Sequence, residues 1–537
     1  MRIHYATASA LAPSRNAKSR SQQPDSATTS IVATLNPMLR YSIAMLALSF
    51  LTAPLIAQVH YYPDGRPWSQ KAGNGPDREV PGWYYNLGVT GMRVELVESA
   101  KSHLVVRYVF PDSPAANKVR VGDHITGAFG HRFQEDHQNG YGMKVFGPYG
   151  PILDFAMLLE KAMTKKSKGQ MPLTIERDGQ KLEVKLKLGT KHGSYSKSYP
   201  ANCKKSDRLL QGLLEYLLEQ QRDDGSWGSP PHNLFAPLAL LASGNSNYKK
   251  AIERCAKFHA RTTKAKDHGS LINWRYMAAG IFLSEYYLAT KQKWVLPELE
   301  EIRDFLLHSQ YTNMAQINPK AYESHPDSVP NDAKRAHGGW GHNPGFEGYG
   351  PIAMITGQGA LTLAMIKHCG IDVDRKLHDA AYSFLARGTG RNGYTWYGDE
   401  VAGHDNYADM GRTGAAGLAN MLSPYRDSVY AKRAKLHAEC IGEHPDSFPD
   451  THASPTMGMA FTALAANANP KHFRNLMDRN RWWFTLSRCA DGTFYYQPNR
   501  DNSGYGGDSR LSASAITALI YSIPKKSLHL TGKPFRK

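Results

Sequence analysis

From residue 206 onward the chain places His, Tyr, Arg and Asp just ahead of apolar stretches: His232, His342, Tyr349, Asp405, Arg412, His452, Asp508 and Arg510, with Tyr407, Asp409 and Tyr505 beside them. If those stretches are helices, these side chains gather at helix N-termini, where backbone dipoles favour anions. The chemistry such a set can do is eliminative cleavage of an acidic glycan: Arg neutralises a uronate carboxylate while Tyr or His removes the C5 proton. The bland reading stands next to it. Asp and His ahead of helices are usually caps, and seam aromatics usually pack. For Arg412 the two readings separate cleanly: it either faces an open cavity or is closed off in a pair with Asp409 or Asp405.

A second place for chemistry is the loop Leu87, Gly88, Val89 and Thr90, whose glycine lets successive backbone N–H groups converge on a carboxylate. Other chemistries lack their residues. No G-x-S-x-G nucleophile elbow occurs. Cys203, Cys255, Cys369, Cys440 and Cys489 are widely spaced, without C-x-x-C, so no metal site and no cofactor is expected. Their pairing is open, and an odd count leaves at least one thiol unpaired within a monomer.

The elements that must position these groups belong to a chain of 537 residues, 41% hydrophobic and 21% charged, enough for two or three domains with a large core. Mean hydropathy of -0.49 excludes a polytopic membrane protein. The net charge of +18 is spread rather than focused, which argues against a nucleic-acid partner. Residues 1–57 read as an N-terminal extension followed by a signal peptide. Met38-Leu39-Arg40 is a short basic start, Tyr41 to Ala57 an apolar run, and a start at Met38 with a mature chain from near Gln58 is expected. The product is then exported, periplasmic or secreted, with membrane contact only through that segment, as an anchor if it is uncleaved.

Residues 80–190 read as a small α/β module with strands at Met92–Leu96, Leu104–Phe110, Met171–Arg177 and Lys181–Leu188, a helix at Ile152–Met163, and a hairpin turn at Asp178-Gly179. The stretch from Val109 to Gly127 resembles the PDZ domains of exported bacterial proteins, and Leu87–Thr90 looks like their carboxylate-binding loop. The resemblance implies a peptide groove; the insertion over Ala128–Gly150 departs from the pattern and puts the groove in doubt. Residues 191–205 read as a polar linker.

Residues 206–525 alternate amphipathic helices with helices apolar nearly all round, six of each, which predicts an all-α (α/α)6 toroid. Gly-containing loops recur before the apolar helices: Asp224-Gly225-Ser226-Trp227, His268-Gly269-Ser270, Gly338-Gly339-Trp340, Asn392-Gly393-Tyr394 and Asp491-Gly492-Thr493-Phe494. Gln221, Gly225 and Trp227 resemble the QW repeat of triterpene cyclases, and the whole is similar to the terpenoid-cyclase and prenyltransferase toroid. The cyclases' acidic motif is incomplete at Asp372-Val373-Asp374-Arg375. The prenyltransferase zinc site has no match, and Gly357-Gln358-Gly359 lacks the cysteine of thioester proteins. The layout of a PDZ-like module followed by a toroid resembles a family of exported bacterial proteins; it implies architecture and leaves activity open. The leading expectation is therefore an exported scaffold that binds peptide C-termini or another exported protein. The alternative is an acidic-polysaccharide lyase or glycoside hydrolase using the toroid mouth.

Overall fold

The computed structural model describes residues 83–137, 149–191, 193–264, 267, 269–402, 407, 409–425, 427–449, 455–497 and 510–535. The expected signal segment, Asp405, His452 and Asp508 lie outside the described residues. All described residues belong to one compact unit, Ile56–Lys537.

Seven short described strands form one antiparallel sheet: β1 (Trp83–Asn86), β2 (Met92–Leu96), β3 (Leu104–Val109), β4 (His124–Ala128), β5 (His131–Arg132), β6 (Gln170–Arg177) and β7 (Gln180–Lys187). Their order is β1-β2-β3-β4-β6-β7, with β5 on β4. The β6–β7 turn sits at Asp178-Gly179, both at positive φ, the conformation that an Asp-Gly pair permits. Helix α1 (Pro151–Ala162) buries Ile152, Phe155, Ala156 and Leu159, one face at helical spacing, against β4 and β6.

The helices after the sheet alternate in burial. Amphipathic α2 (Lys204–Glu219), α4 (Lys249–Thr262), α6 (Val295–Ser309), α8 (Arg375–Arg387) and α10 (Ser428–Glu443) lie outside, as does the pair α12 (Pro470–Arg479) and α13 (Arg481–Leu486). Inside are α3 (Pro230–Ala242), α5 (Ile272–Thr290), α7 (Ala353–His368), α9 (Met410–Met421), α11 (Pro455–Ala466) and α14 (Arg510–Ser522). In α7 every residue from Ala353 to Ile366 is buried. Each inner helix packs on the next, and α14 packs back on α3, so the α/α toroid read from the alternation is a closed ring.

The recurring loops explain the ring's spacing. Gly225, Gly338 and Gly393 take φ of 90°, 88° and 86°. A Cβ there would stand 2.5, 2.1 and 2.5 Å from the carbonyl oxygens of Arg254, Ala380 and Leu436, each on the following outer helix. The next aromatic plugs the seam: the Trp227 and Trp340 indoles donate to Leu217 O (2.7 Å) and Leu306 O (2.9 Å) on the preceding outer helix. A polar residue one turn into the inner helix then receives a loop N–H. Asn233 takes Trp227 N, Thr356 takes Trp340 N, Thr413 takes Thr395 N and Ser514 takes Phe494 N.

The C-terminal ends of the inner helices are covered by the tail. Ser527 Oγ donates to Ala242 O (2.7 Å), Leu530 N to Glu285 Oε1 (2.7 Å) and Asn467 Nδ2 to Thr531 O (3.2 Å). The Phe535 ring stacks on those of His368 and His529, at 3.5 and 4.0 Å.

Residues 191–205, expected as a polar linker, instead carry the buried Tyr195 and Tyr199 into the toroid. At this joint Glu160 of α1 accepts from Lys205 Nζ (2.5 Å), Tyr195 N (2.7 Å) and Thr485 Oγ1 (3.1 Å). The Tyr195 and Tyr521 hydroxyls meet at 2.6 Å. All five cysteines are described and buried, and none is in a disulfide. Among the described residues no helix is long and apolar enough to cross a membrane.

Candidate functional site

Ring closure brings the N-termini of the inner helices to one mouth, opposite the tail. There the starts of α5, α7 and α9 converge through their loops. Asn273 Nδ2 donates to Gly341 O (2.9 Å), Asn273 N to His342 O (3.2 Å) and Ala353 N to Tyr397 O (2.8 Å). These bonds satisfy first-turn N–H groups that would otherwise be orphaned, and they fix the loops bearing His342, Tyr349 and Tyr397.

A chain of polar aromatics results. Trp274 Nε1 donates to His342 Nδ1 (2.8 Å), and His342 Nε2 meets the Tyr349 hydroxyl (2.5 Å). The Tyr397 ring lies beyond, 6.0 Å from that of Tyr349. Tyr349 is 38% exposed and Tyr397 41% exposed. Partial burial, followed by the neighbouring Tyr349, pushes the Tyr397 phenol above its ordinary range. Burial also lowers the His342 pKa, against the opposing charge of Glu347, so the imidazole is neutral.

Arg412 lies beneath this surface. It is 7% exposed; its Nη1 donates to Asp409 Oδ2 (3.0 Å), its Nη2 to the Tyr394 hydroxyl (2.9 Å) and its Nε to Thr395 O (3.3 Å). The guanidinium sits 5.7 Å from the Tyr397 ring centroid. Of the two readings for this arginine, the geometry is that of a closed pair. Its charge is paired with Asp409, and among the described residues the face above it is phenolic.

The other candidates stand apart from this cluster. His232 is buried, with Nδ1 at 3.1 Å from Trp227 O, as part of the seam that holds α3. Arg510 opens α14 and donates to Asp491 Oδ2 (2.8 Å). Tyr407 stacks on His444 at 3.4 Å. Trp274 and Tyr397 belong to the cluster without having been singled out from the sequence. Trp274 reads as an ordinary residue of an apolar helix, and Tyr397 follows Tyr394 and Trp396 in a run that reads as seam packing. Among the described residues no group of three His, Cys, Asp or Glu is placed to hold a metal ion.

The Leu87–Thr90 loop is closed. Leu87, Gly88 and Thr90 are buried and Val89 half-buried. Leu87 N donates to Met92 O and Thr90 N to Leu87 O, so these N–H groups are spent within the loop. A Cβ on Gly88 would stand 2.6 Å from Thr485 O of α13, so the loop has the toroid pressed against it. Asn86 N donates to Gln497 Oε1 (2.9 Å) just beside it. A separate cleft of about 910 Å³, walled by α1 on one side and α12 and α13 on the other, shares no residue with the mouth cluster.

No curated protein sequence matches the chain. Among solved structures, it is similar to an alpha-1,6-mannanase of glycoside hydrolase family 76 from Salegentibacter sp. in complex with alpha-1,6-mannotriose. That match has 9% identity and a TM-score of 0.41, covering 59% of this chain and 98% of that one. A family 76 glycoside hydrolase from a bovine Bacteroides thetaiotaomicron strain matches at 11% identity and TM-score 0.43, over 66% of this chain and 84% of that one. A type II terpene cyclase from Scytonema matches at 12% identity and TM-score 0.36, over 59% and 97%. At such identities the likeness is one of fold. The leading expectation of an exported peptide- or protein-binding scaffold is overturned: the loop that should receive a C-terminal carboxylate is shut by α13. Residues 206–532, more than half of the chain, match the family described as a domain of unknown function, DUF6288, and the chain belongs to that family.

Proposed function

We propose that the toroid mouth binds a neutral glycan and hydrolyses it, adding one water across a glycosidic bond to give a new reducing end and a free hydroxyl. The observation that carries this reading is the pair of half-exposed rings, Tyr349 and Tyr397, backed by the neutral His342 and the closed Arg412–Asp409 pair at the open end of the ring. Aromatic faces take the C–H side of a sugar ring while phenolic hydroxyls meet its oxygens, a use of amphipathic rings that suits wet sites. Hydrolysis is preferred to elimination because Arg412, the cation a uronate-binding site would need, is committed to Asp409. Glu347, on the same loop as Tyr349, further disfavours an anionic chain.

The test is a panel of neutral polysaccharides (mannan, dextran, xylan) beside acidic ones (pectate, alginate), read for new reducing ends and for the ultraviolet absorbance of unsaturated uronates. New reducing ends from a neutral glycan, without that absorbance, are expected. An absorbing product from pectate or alginate would overturn the reading in favour of a lyase. Tyr349→Ala with Tyr397→Ala should reduce turnover about a hundredfold through lost positioning.

The small sheet, PDZ-like by its Val109–Gly127 motif, acts in this reading as a brace rather than a receptor, supported by Glu160 and by the Tyr85 ring against Trp482. Export follows as a proposal from the order basic, apolar, small over Met38–Ala57. N-terminal sequencing of the exported protein should begin near Gln58; retention of residues 1–37 would refute it.

A further inference from the structure

The mouth cluster permits a count of its hydrogens. An indole N–H only donates, so His342 Nδ1, 2.8 Å from Trp274 Nε1, must carry a lone pair. A neutral imidazole bearing a lone pair on Nδ1 carries its proton on Nε2, which is therefore the donor to the Tyr349 oxygen. Two phenols remain, their rings 6.0 Å apart. The four groups thus hold four donor hydrogens: Trp274 Nε1–H, His342 Nε2–H and the two tyrosine O–H groups. The hydrogen bonds between them use two. The Tyr349 oxygen already accepts from His342, so its O–H is turned away from the imidazole, at a ring open to solvent.

From this we infer that Trp274 sets the polarity of the mouth. By fixing the His342 tautomer it leaves the Tyr349 O–H to be taken by an acceptor oxygen of a bound neutral glycan. Trp274 and His342 are positioning residues and touch no substrate. The inference rests on the neutral-glycan reading above and adds to it what the sugar must present: a hydroxyl, ring or bridging oxygen with a free lone pair. Without the indole the imidazole is free to carry its proton on Nδ1. Nε2 then accepts from Tyr349, so that hydroxyl is spent within the cluster. The lone polar hydrogen of Trp274 decides whether Tyr349 offers a donor. The surroundings keep the imidazole in its neutral form, since burial lowers its pKa.

Two measurements on the full chain test this, one of them independent of any glycan. Side-chain ¹⁵N NMR of histidine-labelled protein, with His342 assigned by its loss in His342→Gln, should show the Nε2–H tautomer at neutral pH. Trp274→Phe should shift the population toward Nδ1–H. An Nδ1–H tautomer or a doubly protonated ring in the wild type would overturn the inference outright. Calorimetric titration with mannan, dextran and xylan forms the second arm. For whichever of these the wild type binds, Tyr349→Phe with Tyr397→Phe should weaken affinity about tenfold, the worth of one hydrogen bond. Trp274→Phe should do the same although both phenols remain. Should Trp274→Phe fail to fold, the double tyrosine variant still decides. Unchanged affinity in the double variant sinks the donor while leaving the glycan reading intact; a wild type that binds none of the three sinks both.

Discussion

Tyrosine rings come together at the joint between sheet and toroid and again at the mouth, and the two places differ in almost everything else. Tyr195 and Tyr521 are buried and sit beside a carboxylate–ammonium pair, Glu160 and Lys205. Tyr349 and Tyr397 have half-open rings and rest on a neutral histidine. At the joint every group serves the fold, because a buried polar atom without a partner costs about 1–3 kcal/mol. At the mouth solvent stands in for any missing partner, so the same hydroxyls are left to a ligand.

The comparison breaks most visibly at Lys205. Its side chain is 1% exposed and its partner Glu160 is only slightly more open. Lys205→Met leaves the carboxylate with Tyr195 N and Thr485 Oγ1 but without its hydrogen-bonded cation, and should cost about 3–5 kcal/mol. Urea unfolding measures it; a loss below about 1 kcal/mol would mean that the joint does not hold the sheet to the ring.

Arg412→Ala comes next, at about 3 kcal/mol, because Asp409 then stays buried beneath the mouth without its guanidinium. A melting temperature equal to that of wild type would return Arg412 to the role of a ligand group. That pair shows what was legible in the sequence. Asp409 and Arg412 are three residues apart, so the closed pair was visible as one of two readings. The ring was legible because helical periodicity reports burial, and an inner helix such as α7 has no polar face to hide. The cluster was not, since Trp274 and His342 lie 68 residues apart and meet only when the ring closes. Leu87–Thr90 failed in the opposite way: its local pattern suggested an open loop, and the helix that shuts it arrives nearly four hundred residues later.

The joint should also announce itself in pH. Burial holds the Lys205 ammonium down to about 8 from its ordinary 10.5, with Glu160 pulling the other way. A base whose folded pKa is lowered weighs against the fold below that value, and the cost fades as pH rises toward 10.5. Wild type should therefore gain about 2 kcal/mol between pH 8 and 10. Above 10 the trend reverses, because burial raises Tyr195, Tyr199 and Tyr521 and these phenols ionise first in the unfolded chain. Lys205→Met should flatten the rise; equal slopes in the two proteins would assign it elsewhere.

The smallest effects separate the two tyrosine pairs directly. Tyr521→Phe removes a buried hydroxyl from Tyr195, which keeps only the longer bond to Phe484 O at 3.3 Å, so about 1 kcal/mol should be lost. Tyr397→Phe removes the same atom from the mouth. There Tyr349 still accepts from His342 and water takes the proton it offers, so the change should stay within about 0.5 kcal/mol. The pair of melts is informative because the substitution is identical and only the surroundings differ. Equal losses at both positions would mean that the mouth pair is as closed as the joint, and the ligand-facing hydroxyl would have to be abandoned. A loss at Tyr521 alone leaves the Tyr397 hydroxyl doing nothing for the fold, which is the condition under which its retention has to be explained by what binds there.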